Sequence, residues 1–176
     1  MEKIAQDSGV AANFRIRPAE VADLNAVSLV DRESFGQDCY SAVVLRQFLD
    51  IEQDLFQVAE NDYEILGYAI GAVTVKGAVG WILALAVSKS TRRTGIGAAL
   101  VKKIVKLLDQ GGVGEVLLTV EPDNFRAISL YRQLGFSVRC VVPDYFGKGT
   151  DRLLMAALRH ERRSLTFVSK STDGLR

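Results

Sequence analysis

Apolar residues in this chain recur first at helical spacing, then in short alternating or continuous runs, then at helical spacing again, and each change of period marks an element. Residues 13–17 read as a short opening strand that Pro18 ends. Pro18-Ala19-Glu20 then opens a helix, since proline is tolerated in the first turn and glutamate suits the positive helix end. The spacing carries that helix to about Phe35, with Val21, Leu24, Val27 and Val30 on its inner side, and a loop follows over 36–40. Ser41 is placed to cap a second helix that packs Val44, Leu45, Phe48 and Leu49.

Three strands follow, at 56–60, 65–75 and 79–87. Asn61-Asp62 and Lys76-Gly77 between them are tight-turn pairs, so the three strands are expected to be antiparallel neighbours. The strongest helical pattern comes after 91–97: Ile96, Leu100, Ile104, Leu107 and Leu108 share one side, Lys102, Lys103 and Lys106 face solvent, and Gly111-Gly112 ends it. A buried-looking strand at 115–120 leads to a helix capped by Asn124 and closed by Gly135. Strands at 136–142 and 152–158, around a loop at 143–150, finish the pattern. This order predicts an α+β protein in α/β/α layers, a mixed sheet of about seven strands with helices on both faces. One domain over 13–159 is expected, with 1–12 and 160–176 as flexible terminal segments.

Composition narrows the function. With 176 residues, 48% hydrophobic and 24% charged, the chain suits a globular domain with a substantial core. Lys and Arg number 22 against 21 Asp and Glu, so no overall field draws it to nucleic acid or an anionic membrane. Cys39 and Cys140 lie far apart without C-x-x-C spacing and read as reduced, half-buried thiols of a cytoplasmic protein. With His160 as its single histidine, the chain has little material for a histidine triad or a multi-histidine metal site; no metal is expected. The start of the chain lacks a signal peptide's apolar core, and the apolar run over 69–87, broken by Lys76-Gly77, reads as two strands rather than a membrane helix.

Candidate chemistry centres on Arg92-Arg93-Thr94-Gly95-Ile96-Gly97-Ala98, which follows a strand and opens a helix. Unpaired N–H groups and the positive dipole end suit a bound anion there, and Gly95 and Gly97 lack the β-carbons that would hold a pyrophosphate off the backbone. The alternative is an ordinary glycine loop with two solvated arginines. Ile96-Gly97-Ala98 is not the Gly-Lys-Ser/Thr end of a P-loop. Leu100 stands where a dinucleotide fingerprint needs glycine, and three antiparallel strands precede the loop.

This segment resembles the Gln/Arg-x-x-Gly-x-Gly/Ala signature of the GCN5-related N-acetyltransferases (GNAT), with Arg92, Gly95 and Gly97 at the signature positions. A second block, running from Asn124 through Ala127, Leu130 and Tyr131 to Gly135-Phe136, resembles that family's Asn-x-x-Ala-x-x-Leu-Tyr-x-x-x-Gly-Phe helix. The likeness spans about 14–158 and implies a mostly antiparallel sheet in which two strands, here 83–87 and 115–120, splay to admit pantetheine. It implies acetyl-CoA as cofactor. Backbone at Leu85, Ala86 and Val87 would pair with pantetheine, the N–H groups of Arg93, Thr94, Gly95, Ile96 and Gly97 would take the pyrophosphate, and Asn124 would touch the cofactor arm or act as a helix cap.

The resemblance also puts Tyr131 at the family's usual acid position, where it would protonate the departing thiolate; the alternative is a core tyrosine on an apolar helix face. In the loop regions the likeness is nearest to enzymes that acetylate protein N-termini, including ribosomal-protein alanine acetyltransferases. Ser34-Phe35, Tyr40-Ser41 and 143–146 carry it. Many of those enzymes have a glutamate where this chain has Thr119, and Glu121, two residues on, is either a substitute base or a solvated strand-end carboxylate. Phe35, Tyr40, Thr119, Tyr145 and Phe146 are the expected acceptor-binding residues, with the last two a clamp or a lid over the core. The expected acceptor is a peptide N-terminus, the alternatives being a small amine or a non-catalytic acyl-CoA sensor. The chain is expected to work as a monomer or homodimer.

Overall fold

The computed structural model describes residues 13–74 and 79–159. The expected terminal segments, the Lys76-Gly77 turn and the last residue of the 65–75 strand lie outside these residues. Seven strands, β1 (Arg15–Pro18), β2 (Phe56–Glu60), β3 (Ile65–Val73), β4 (Val79–Val87), β5 (Glu115–Val120), β6 (Ser137–Val142) and β7 (Arg152–Leu158), form one sheet in the order β1-β2-β3-β4-β5-β7-β6. Every neighbouring pair is antiparallel except β4 and β5. Among the described residues, four helices flank it: α1 (Leu24–Phe35), α2 (Ala42–Ile51), α3 (Ile96–Gln110) and α4 (Phe125–Gln133). The parallel β4–β5 pair is where α3 crosses over, as a parallel connection requires.

Two apolar clusters cover opposite faces of the sheet. On one, Ile96, Leu100, Ile104 and Leu108 of α3 and Ile128 and Tyr131 of α4 pack on Ile82, Val116, Leu118 and Val120. On the other, Val27 and Val30 of α1 and Leu45 and Leu49 of α2 pack on Val58, Tyr68, Ile70, Ala84 and Ala86. Val21, expected on the inner side, is instead exposed, because 21–23 form a separate 3₁₀ turn whose facing differs from that of α1. Ser41 caps α2 by accepting from the Val44 N–H at 3.3 Å, as its sequence position predicts. Cys140 is exposed rather than half-buried, since β6 forms an edge of the sheet. Within the apolar run over 69–87, the residues up to Val73 belong to β3 and those from Val79 to β4, and among the described residues no helix is long and apolar enough to cross a membrane.

Candidate active site

The site begins with a fault in β4. Ile70 pairs with Ala84 and Gly71 with Ile82, so Leu83 is an extra residue, a β-bulge. An extra residue reverses the alternation beyond it. Ile82 faces the α3 cluster, Leu83 and Ala84 both face the α1–α2 cluster, and Leu85 and Val87 return to α3. At the same residue β4 leaves β5: their parallel register runs from Val79 with Glu115 to Ile82 with Leu118 and stops there. Beyond it β4 keeps only β3, and β5 continues to Val120 on β7. The backbone of 83–87 therefore presents one edge to a gap between the strands, where an extended ligand can add main-chain hydrogen bonds.

The cradle closes one end of this gap. Gly95 caps α3 at φ 90° and Arg93 sits at φ 72°, a left-handed conformation that costs a non-glycine residue about 1–2 kcal/mol. Among the described residues, none accepts a hydrogen bond from the N–H groups of Arg93, Thr94, Gly95, Ile96, Gly97 or Ala98; the first bond of the helix runs from Ala99 N–H to the Gly95 carbonyl. Six free donors at the positive end of a fifteen-residue helix suit a bound anion. Arg92 donates to the Val87 carbonyl at 3.2 Å and ties this loop to the end of β4. A Cβ on Gly97 would stand 3.6 Å from Val87 and 3.7 Å from Leu130, ordinary contact distances, so anything larger projects into the space between β4 and α4.

On α4, Asn124 accepts from the Ala127 N–H at 3.1 Å, which engages its carbonyl oxygen as a helix cap. Tyr131 is buried, stacked edge-to-face on Phe136, and its hydroxyl has no hydrogen-bond partner among the described residues. Burial pushes its phenol up to about 12, so it keeps its proton throughout the neutral range. Glu121 lies one residue past the end of β5, rather than on the strand, and its carboxylate pairs with Arg152 at 3.2 Å. Thr119 is on the strand, half-buried and paired with Leu154.

Two loops meet at the bulge from the α1–α2 face. Tyr40 donates its phenol hydrogen bond to the Leu83 carbonyl at 3.4 Å and packs edge-to-face on Phe48. Tyr145 is close enough to add, after burial and Asp31, to the forces raising the Tyr40 pKa. Tyr145 and Phe146 pack edge-to-face, and Arg152 stacks over the Phe146 ring at 5.1 Å. Their loop is tied to itself through Asp144, Thr150 and Asp151, so the aromatic pair is rigidly presented. Phe35 stands at the end of α1, with 42% of its surface exposed.

Absent from the sequence reading are Asp31 and Tyr68. Asp31 has no exposed surface, yet it sits on the stripe of α1 that carries Val27 and Val30. A carboxylate on an otherwise apolar stripe was the available signal. It accepts from the Tyr40 N–H at 2.6 Å and from the Tyr68 hydroxyl. Burial pushes the Asp31 carboxyl up, partly offset by those two donors, while burial and Asp31 together push the Tyr68 phenol far above its usual range.

A helix-end cradle of free N–H groups beside a gap between two parallel strands suits a ligand with an anionic head and an extended, amide-bearing arm. The sequence profile of the Acetyltransferase (GNAT) family matches residues 22–136, and the chain belongs to that family, as an N-acetyltransferase whose cofactor is acetyl-CoA. An N-alpha-acetyltransferase of Sulfurisphaera tokodaii is 32% identical over 157 residues, covering 82% of this chain and 92% of the relative. Ard1 from Thermoplasma volcanium shares the fold, with a TM-score of 0.76 at 23% identity over 82% of this chain and 97% of that one. Chaetomium thermophilum Naa20, solved with a bisubstrate analogue, superposes with a TM-score of 0.73 at 26% identity, covering 85% of this chain and 89% of its own.

The residues present fit the cofactor. The free N–H groups of 93–98 suit its pyrophosphate, the β4 edge at Leu85 and Val87 suits an amide-bearing arm, and Gly97 leaves room for that arm to pass. When bound, the cofactor supplies an acetyl group activated as a thioester.

Proposed function

We propose that this enzyme acetylates the α-amino group of a protein or peptide N-terminus, in the cytoplasm, with the activity contained in residues 13–159. The observation that carries the reading is the aromatic mouth beside the β4 bulge: Tyr40 bonds to the Leu83 carbonyl, and the Tyr145–Phe146 pair stands next to it. With Thr119 in place of a carboxylate on β5, the site suits an amine that is easily neutral. An α-amine of pKa near 7.8 is about one-seventh neutral at pH 7, whereas a lysine-like amine near 10.4 is neutral in roughly one molecule in a few thousand. The names of its relatives support the same acceptor, since several are N-alpha-acetyltransferases.

In this reading the acceptor enters from the α1–α2 face, between Tyr40 and Tyr145, with Phe35, Phe146 and Thr119 lining the approach. The cofactor would supply the acetyl thioester to the neutral amine, and Tyr131 would give its proton to the sulfur that leaves the acetyl group. A phenol near 12 is a weak acid, but the same dry surroundings raise the proton affinity of the thiolate that receives it. Glu121 takes the proton shed by the amine through water. Arg93 through Ala98 hold the pyrophosphate, and Leu85, Ala86 and Val87 hold the arm.

The test is thiol release and product mass with acetyl-CoA and a panel of N-terminal peptides, set beside lysine side-chain peptides and small amines. Acetylation confined to peptide α-amines is expected. Turnover of small amines alone, or cofactor binding without release from any acceptor, would refute the proposal and point to a small-amine enzyme or an acyl-CoA sensor respectively.

A further inference from the structure

We propose that Asp31 is a positioning residue for the acceptor: it holds the Tyr40 loop against the β4 bulge and so shapes the mouth through which the amine enters. The proposal rests on the peptide reading above and deepens it. Asp31 has no exposed surface, and its two oxygens are both taken, one by the Tyr40 N–H at 2.6 Å and the other by the Tyr68 hydroxyl. Its partners are a main-chain N–H and a phenol rather than a cation. A carboxylate in this position costs folding free energy that a valine or leucine on the same stripe would not. What the fold obtains is a connection. Tyr68 is fully buried on β3 and pairs in register with Ala86 of β4; Tyr40 closes the loop between α1 and α2; and the Tyr40 phenol reaches the carbonyl of Leu83.

One carboxyl thus joins α1, the α1–α2 loop and the strand next to the bulged one. The phosphate cradle, on the far side of β4 beyond Val87, has no part in this network. Asp31 is also unsuited to take the amine's proton, because neither oxygen is free and no surface of it reaches solvent. Its effect belongs on acceptor affinity, not on cofactor affinity or on the proton-transfer step.

Steady-state kinetics and cofactor titration on Asp31→Ala, Asp31→Asn and Tyr40→Phe test this. Asp31→Ala should raise the peptide KM about tenfold or more while acetyl-CoA affinity stays within about twofold. Asp31→Asn should recover most of the loss: the amide oxygen can accept from the Tyr40 N–H, and its NH₂ can donate to the Tyr68 oxygen. Should the alanine variant fail to fold, Tyr40→Phe, which deletes only the bond to Leu83, should still raise the peptide KM several-fold with cofactor affinity unchanged. Equal losses for both substrates, an unchanged peptide KM, or a fall in kcat with a displaced basic limb of the pH profile would overturn the proposal. A wild-type chain that turns over no peptide would take down the functional reading and this role with it. Wild-type turnover with an unaltered KM in the variants strikes the positioning role alone.

Discussion

Ile82 and Leu118 are the last residues that β4 and β5 hold in register, and the next residue of β4, Leu83, is bulged out of its pairing with β3 as well. The two faults have one consequence. Beyond them the strands part, and Gly97 looks into the gap past Val87 and Leu130. Gly97→Ala should bind acetyl-CoA nearly as well as wild type, since its Cβ meets those neighbours at ordinary distances. Gly97→Trp should abolish binding while far-ultraviolet circular dichroism and the melting transition stay close to wild type. Calorimetric titration of both variants checks this, and equal binding by the two would place the arm elsewhere.

Gly95 is needed for a different reason. Its φ of 90° is open to glycine and strained for other residues, although a Cβ there would meet nothing within 4 Å. Gly95→Ala should therefore cost about 1–2 kcal/mol of stability. It should also weaken acetyl-CoA more than Gly97→Ala does, by turning the N–H groups at the helix end out of line. Denaturant melts paired with titration measure both effects.

Tyr131→Phe removes a hydroxyl that has no protein partner among the described residues, so it should fold and bind acetyl-CoA as wild type does. The kcat should drop by about 10²–10⁴-fold, the range for loss of a general acid. A rate within twofold of wild type would leave Tyr131 as a packing residue. Because burial holds its phenol near 12, the wild-type rate should show no downturn from this group below about pH 11.

Arg17 clamps the entrance of the fold: it meets Asp23 at 2.6 Å and Glu60 at 2.7 Å, joining β1, β2 and the turn before α1. The guanidinium holds both carboxyls below their ordinary values of 3.8 and 4.5. Lowered native values mean that the unfolded chain binds protons first as the pH falls. The stabilisation is thus fully present above about pH 5 and is lost as pH drops through the lowered native values. Arg17→Leu should melt lower than wild type at pH 7, and the difference should shrink steadily below pH 4. Asp31 acts in the opposite sense. Its native value is raised, so its contribution is greatest below 3.8 and declines as pH rises through that higher value.

Much of this was legible in the linear order of residues. The strand bounds at β2, β4, β5 and β7 follow from runs whose ends are marked by turn residues, and Ser41 and Asn124 announce their helices because capping is a contact between residues three apart. The cradle is equally local: a strand end, two arginines, two glycines and a helix start place six donors together whatever the rest of the chain does.

Glu121 shows where local reasoning stopped. Two residues from Thr119, it reads as a substitute base or a solvated strand-end carboxylate, but β5 ends at Val120, and an arginine from β7, thirty-one positions away, takes its carboxylate. The bulge at Leu83 is of the same kind, since an extra residue is defined only against the partner strand. Asp31 is the clearest case: its meaning comes from Tyr40 and Tyr68, brought to it by the packing of α1 on β3. The sequence by itself determined most element bounds, the family and the glycine-bearing helix start with its free N–H groups, because each depends on residues within a few positions of one another. Only the tertiary structure decided that a bulge at Leu83 accompanies the parting of the strands and that Asp31 joins Tyr40 to Tyr68, because those depend on long-range register and on which buried polar atoms find partners.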